Sequence, residues 1–139
     1  MDENKIDFDT YNELAFMAAT FHKLLVQLQN LLGEDLSSKL TMSPHELGRV
    51  DVRIGAFQVS INLSFDGSEI VNPYVCIGIE EAETGDHLDI FPDHHRVFFT
   101  FAFGEENPRY TEFVELQRHI RRRGPMHLFD DWLPQQLAH

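Results

Sequence analysis

The sequence predicts an α+β fold: an antiparallel sheet of four to five strands, a long N-terminal helix packed on one face, and one or two C-terminal helices. Three observations predict it. From Arg49 to Phe65 the apolar residues alternate, at even positions through Val50, Val52 and Ile54, then at odd ones through Phe57, Val59, Ile61, Leu63 and Phe65. Strand side chains alternate faces with period two, so both sets share a face only if the chain turns or bulges at Gly55-Ala56. From Leu14 to Leu32 the apolar residues fall instead at three- and four-residue steps, the mark of an amphipathic helix. A last segment opens at Asn107-Pro108 and ends in Arg121-Arg122-Arg123-Gly124, as helices begin and end.

The N-terminal helix is expected to start at a capping box, Thr10-Tyr11-Asn12-Glu13. Its stripe runs Leu14, Met17, Ala18, Phe21, Leu24, Leu25, Leu28, Leu31 and Leu32, and Gly33 stands where a helix C′ residue belongs. Phe16 and Val26 lie off the stripe and leave room for a second surface, such as a homodimer contact. Ser43-Pro44-His45-Glu46 predicts one short helical turn that hands over to the first strand at Gly48. The stretch Leu40 through Ile54, L-T-M-S-P-H-E-L-G-R-V-D-V-R-I, resembles a motif in the C-terminal domain of flagellar hook-length control proteins. The resemblance implies a shared turn-to-strand device and no activity.

Asp66-Gly67-Ser68 is expected to close a hairpin in which Leu63 faces Val71, Val59 faces Val75 and Phe57 faces Ile77. Pro73 cannot donate to a ladder and places an edge or a bulge in the next strand. Glu80 to Asp86 reads as a polar turn, His87 to Phe91 as a short strand and Pro92 to His95 as another turn. Val97 to Phe103, almost wholly apolar, is expected at the centre of the sheet with both faces covered. Helix two should bury Phe113, Leu116, Gln117 and Ile120. The tail from Met126 is amphipathic, with Leu128, Phe129, Trp132 and Leu133 clustered before Pro134, and is expected to dock on its own domain or a second subunit.

At 139 residues the chain is expected to form one domain over 1–139, burying roughly two-thirds of its unfolded surface. With 23 acidic residues against 11 Lys and Arg, its formal net charge is −12. Direct binding to nucleic acid or an anionic membrane through the overall field is therefore excluded, and basic surfaces are attracted. Cys76 is the only cysteine, so neither an intrachain disulfide nor a cysteine-based zinc site can form. Met1 to Lys5 lacks the basic flank and apolar run of a signal peptide, and a cytoplasmic location is expected.

Chemistry-bearing residues are few. His87, Asp89, Asp93, His94 and His95 are of metal-ligating type. Asp93-His94-His95 resembles the signature of the DHH phosphoesterases, whose further Asp and His motifs this chain does not carry. A hairpin tip of such composition is ordinarily a solvated turn, so a metal-free cluster and no cofactor are expected. Cys76, mid-strand, reads as a small buried residue. A helix–sheet pocket would need a polar group on the buried face, and His22 and Tyr74 are the two candidates.

Charge segregation is the strongest functional signal. No Lys or Arg occurs between Ile54 and His95, whereas Arg118, Arg121, Arg122 and Arg123 sit together. Glu80, Glu81, Glu83, Asp86 and Asp89 are expected to form an acidic partner-binding face, with Trp132 as an apolar contact. The chain is similar in size, acidity and opening helix to type III secretion chaperones, although it has turns at Glu80–Asp86 where they carry a helix. The expected function is a non-enzymatic interaction module that blocks or holds a protein with a basic surface, of inhibitor, immunity, anti-defence or secretion-chaperone type. The alternative is a small enzyme or ligand-binding domain using a helix–sheet pocket or the His/Asp cluster.

Overall fold

A computed structural model describes residues 8–66, 71–92, 97–125 and 128–137. Helix α1, Phe8–Leu32, precedes a 3-10 turn at Ser37–Lys39 and six strands: β1 (Thr41–Ser43), β2 (Glu46–Ile54), β3 (Phe57–Asp66), β4 (Val71–Glu81), β5 (His87–Pro92) and β6 (Val97–Ala102). Helix α2, Tyr110–Arg123, a π-helical turn, Leu128–Trp132, and α3, Leu133–Leu137, complete the chain. The strands form one antiparallel meander in the order β1-β2-β3-β4-β5-β6.

The α+β class, the long first helix and the C-terminal helices agree with the sequence expectation, but the sheet has six strands rather than four to five. The additional strand is β1. Pro44 and His45 form a reverse turn between β1 and β2, not the expected helical turn, and β2 begins at Glu46 instead of Gly48. One turn of helix gains too few hydrogen bonds to offset its nucleation cost. Here the same backbone pairs Thr41 with Arg49 and Ser43 with Glu46, while the His45 carbonyl accepts the Phe65 N–H at 3.1 Å.

At Gly55-Ala56 the chain turns as the parity switch requires, with Ile54 paired to Phe57 and Gly55 at φ +58°. An added Cβ on Gly55 would lie 2.7 Å from the Gln136 carbonyl oxygen, so the hairpin also needs a missing side chain to receive α3. Between β3 and β4 the expected register is corrected. Leu63 faces Val75, Val59 faces Ile79 and Phe57 faces Glu81, a slip of four residues that preserves every face. Asp66 pairs with Val71, so the connection is longer than expected, and residues 67–70 lie outside the described ones. Pro73 does mark a bulge: the ladder shifts between Ser64 and Asp66, opposite Asn72 at φ +49°.

One face of the sheet carries the core. Val50, Val52, Ile54, Phe57, Val59, Ile61, Val75, Ile77, Ile79, Leu88 and Ile90 are buried there against Met17, Phe21, Leu24 and Leu28 of α1 and Phe113, Leu116 and Ile120 of α2. The tail joins the same core, with Leu128, Phe129, Trp132 and Leu133 all buried. Ala18 of the expected stripe is exposed, and Thr10 falls inside α1, which already runs from Phe8. At the other end Gly33, at φ +70°, returns its N–H to the Gln29 carbonyl at 2.8 Å, as a C′ glycine should.

β6 is an edge strand, not a central one. Its burial alternates, Val97, Phe99 and Phe101 half-buried and Phe98, Thr100 and Ala102 exposed. A continuous apolar run does not by itself distinguish coverage on two faces from coverage on one. Asn107 acts one turn ahead of α2, where its Oδ1 accepts the Arg109 N–H at 2.9 Å and its carbonyl accepts the Tyr110 N–H at 3.0 Å.

Candidate interaction face

Because α1, α2 and the tail all pack on one side, the residues of opposite parity form an outer face that no described helix covers. The register assembles them into rows. One row runs Arg53, Gln58, Glu80 and His87; the next runs Asp51, Ser60, Gly78, Asp89 and Thr100. Around Gly78 these side chains border a shallow depression of about 240 Å³, lined by Asp51, Gln58, Ser60, Glu80, His87 and Asp89. A Cβ on Gly78 would meet Ser60 Oγ at 2.6 Å and Asp89 Oδ1 at 3.4 Å, so the serine and the carboxylate converge over the glycine.

The charges around this depression are unequally compensated. Arg49, on its rim, holds Asp51 with Nε 3.0 Å from Oδ2 and lies 3.6 Å from Glu46 Oε1. Arg53 donates to the Gly55 carbonyl at 3.1 Å. Asp89 has His87 Nε2 at 3.9 Å. Among the described residues neither Asp89 nor Glu80 has a lysine or arginine within ion-pair distance. Partial burial raises the Asp89 carboxyl above its ordinary range, His87 opposes that shift and Glu80 adds to it. Asn62, on the same strand face, carries an Oδ1 shielded from solvent with no donor among the described residues.

The five carboxylates singled out by sequence do not share one surface. Glu80 and Asp89 lie on the outer face, and Glu83 is exposed in the β4–β5 turn. Glu81 and Asp86 point to the other side. Asn107 Nδ2 donates to Asp86 Oδ2 at 2.6 Å and to Glu81 Oε1 at 3.2 Å, and Arg109 Nε lies 3.5 Å from Glu81 Oε2. These two carboxylates therefore latch the turn to the segment entering α2. Trp132 is only 8% exposed, tilted against Phe57 at 5.1 Å and edge-on to Phe113 at 5.3 Å, and donates Nε1–H to Glu112 Oε1 at 3.0 Å. In this arrangement it is a core residue. Adjacent glutamates on a strand end must face opposite ways, a signal the sequence held once β4 was known to reach Glu81.

His87 and Asp89 share a strand face as expected, but Asp93, His94 and His95 lie outside the described residues. Among the described residues no three His, Cys, Asp or Glu are grouped to hold a metal ion. His22 is exposed on α1 and Tyr74 lies half-buried on the outer face beside Phe91, their rings 5.9 Å apart, so neither places a polar group in the helix–sheet layer. Cys76 is half-buried on the outer face rather than in the core, and burial, reinforced by Asp89, pushes its thiol up to about 12. Arg118, Arg121, Arg122 and Arg123 lie in the last turns of α2, where Arg121 stacks its guanidinium 5.2 Å from the centre of the Phe99 ring.

The structure thus defines an α+β protein with a six-stranded, one-sided antiparallel sheet and, among the described residues, no helix long and apolar enough to cross a membrane. No protein-family model matches the chain, and no curated protein and no solved structure shows significant similarity to it.

Proposed function

We propose that this chain is a non-enzymatic interaction module whose uncovered sheet face docks a protein partner with a basic surface, as an inhibitor, immunity, anti-defence or secretion-chaperone protein does. The observation that carries the proposal is the pair Glu80 and Asp89 on the outer face, with no lysine or arginine within ion-pair distance among the described residues, in a chain of net charge −12. Every described helix is committed to the opposite side, so among the described residues no helix stands between the outer face and a second protein. Its carboxylates speed encounter with a cationic surface and fix its orientation more than they add affinity. A cytoplasmic site of action and a partner other than nucleic acid belong to the same proposal.

The test is the association rate of a synthetic arginine-rich peptide across a salt series. Two charge-matched double variants are compared with the parent: Glu80→Gln with Asp89→Asn on the outer face, and Glu105→Gln with Glu115→Gln at exposed positions elsewhere. The outer-face variant should associate several-fold more slowly at low salt and show a flatter salt dependence. Equal slowing by both variants would mean that net charge alone attracts the peptide, and the docking face would be abandoned.

A further inference from the structure

We propose that the depression over Gly78 seats a single arginine side chain of the partner, its guanidinium entering between Glu80 and Asp89. The inference rests on the docking-face reading above and names the group that face is shaped to take. Within the row Asp51, Ser60, Gly78, Asp89 and Thr100, Gly78 alone has no side chain. A glycine inside a strand commonly marks a close approach by another group, and here Ser60 Oγ and Asp89 Oδ1 make that approach, which draws two acceptors together over the floor of the depression. At about 240 Å³ the depression falls below the roughly 300 Å³ at which small-molecule pockets begin. It is the right scale for one side-chain head group.

The chemistry of the lining selects which head group. Glu80 and Asp89 supply carboxylate oxygens on neighbouring rows, Ser60 Oγ converges over the glycine, and Gln58 adds an amide oxygen. The nearby arginines do not occupy these acceptors: Arg49 is held by Asp51 at 3.0 Å, and Arg53 is turned to the Gly55 carbonyl, while His87 Nε2 stands 3.9 Å from Asp89 at the edge of the depression. Several acceptors spread around a shallow floor match a planar cation with five N–H donors in a fixed fork. They match a compact ammonium less well.

The experiment titrates the full chain with N-acetyl-arginine amide, and separately with the lysine and citrulline analogues, following backbone amide shifts by NMR. The arginine probe should give saturable shifts centred on Ser60, Gly78, Glu80 and Asp89. The lysine probe should bind more weakly, and the uncharged citrulline probe should not saturate. Asp89→Asn should weaken the arginine probe roughly tenfold and Ser60→Ala less, while Glu83→Gln in the exposed turn leaves it unchanged. An amide spectrum unchanged away from the substitution establishes that each variant is folded. Shifts scattered over many carboxylates, or equal response to arginine and citrulline, would overturn the seat. If the arginine-rich peptide nevertheless distinguishes outer-face from control variants, the seat fails and the docking face stands; if it does not, both fail.

Discussion

At the scale of single residues, neighbours in sequence have unlike roles because strand geometry sends them to opposite faces. Glu80 is exposed on the outer face, whereas the Glu81 side chain is 12% exposed and accepts from Asn107 and Thr84 beside Arg109. Glu80→Lys should change stability by less than about 0.5 kcal/mol, as solvated substitutions do. Glu81→Lys places a cation against Arg109 and removes the acceptor of Asn107, so a loss of roughly 2 to 3 kcal/mol is expected. Paired urea denaturation curves measure the difference, and equal midpoints would show that the latch contributes nothing. Cys76 gives a second residue-scale expectation. With its thiol pushed up to about 12, little thiolate exists at neutral pH. Iodoacetamide should therefore alkylate the native protein far more slowly than the urea-unfolded chain, and comparable rates would mean that the strand exposes the sulfur.

At the scale of elements, α1 is held by a stripe narrower than its apolar content. Met17, Phe21, Leu24 and Leu28 are buried, while Phe16 and Ala18 on the same helix are exposed. Phe21 crosses above Gly48 of β2, where an added Cβ would stand 3.1 Å from its Cζ. Phe21→Asp removes this packing and buries an unpaired carboxylate, with a cost above about 4 kcal/mol. A variant that melts near the parent would place Phe21 in solvent. The Ile54–Phe57 hairpin is equally specific. Gly55→Ala meets both a positive φ and the Gln136 carbonyl, so its cost should exceed the roughly 1 kcal/mol of the backbone effect alone.

At the scale of the whole molecule, the C-terminal tail closes the core. Leu128, Phe129, Trp132 and Leu133 are buried against the sheet and α2, and Glu112 accepts from both Trp132 Nε1 and Gln136 Nε2. Each buried side chain of this size contributes roughly 2 kcal/mol. Together the four contribute about 8 kcal/mol, as much as the 5 to 15 kcal/mol that ordinarily separates folded from unfolded chains. Truncation after Gly124 should therefore abolish cooperative thermal unfolding and induce binding of a hydrophobic dye. A truncated chain that melts cooperatively near the parent temperature would show that the tail is dispensable for folding.

By itself the sequence determined whatever depends on local periodicity and backbone chemistry. The parity switch at Gly55-Ala56 required a turn, the three- and four-residue steps required α1, and Gly33 and Arg121 to Gly124 marked helix ends. Faces were legible as well, because a register slip of four residues between β3 and β4 leaves every side chain on the same side. For the same reason the slip itself was not legible: alternation repeats every two residues and does not choose among even shifts. Nor could a run such as Val97 to Phe103 announce whether a strand would lie beyond it, since apolarity is the same at a centre and at an edge that packs on one face. The outer depression was least accessible of all. It depends on Ser60, Gly78 and Asp89 standing opposite one another on three strands, and on Glu81, Asp86 and Trp132 being drawn away to the core side. Only tertiary pairing sets those positions, because the hydrogen bonds that fix them join residues far apart in the chain.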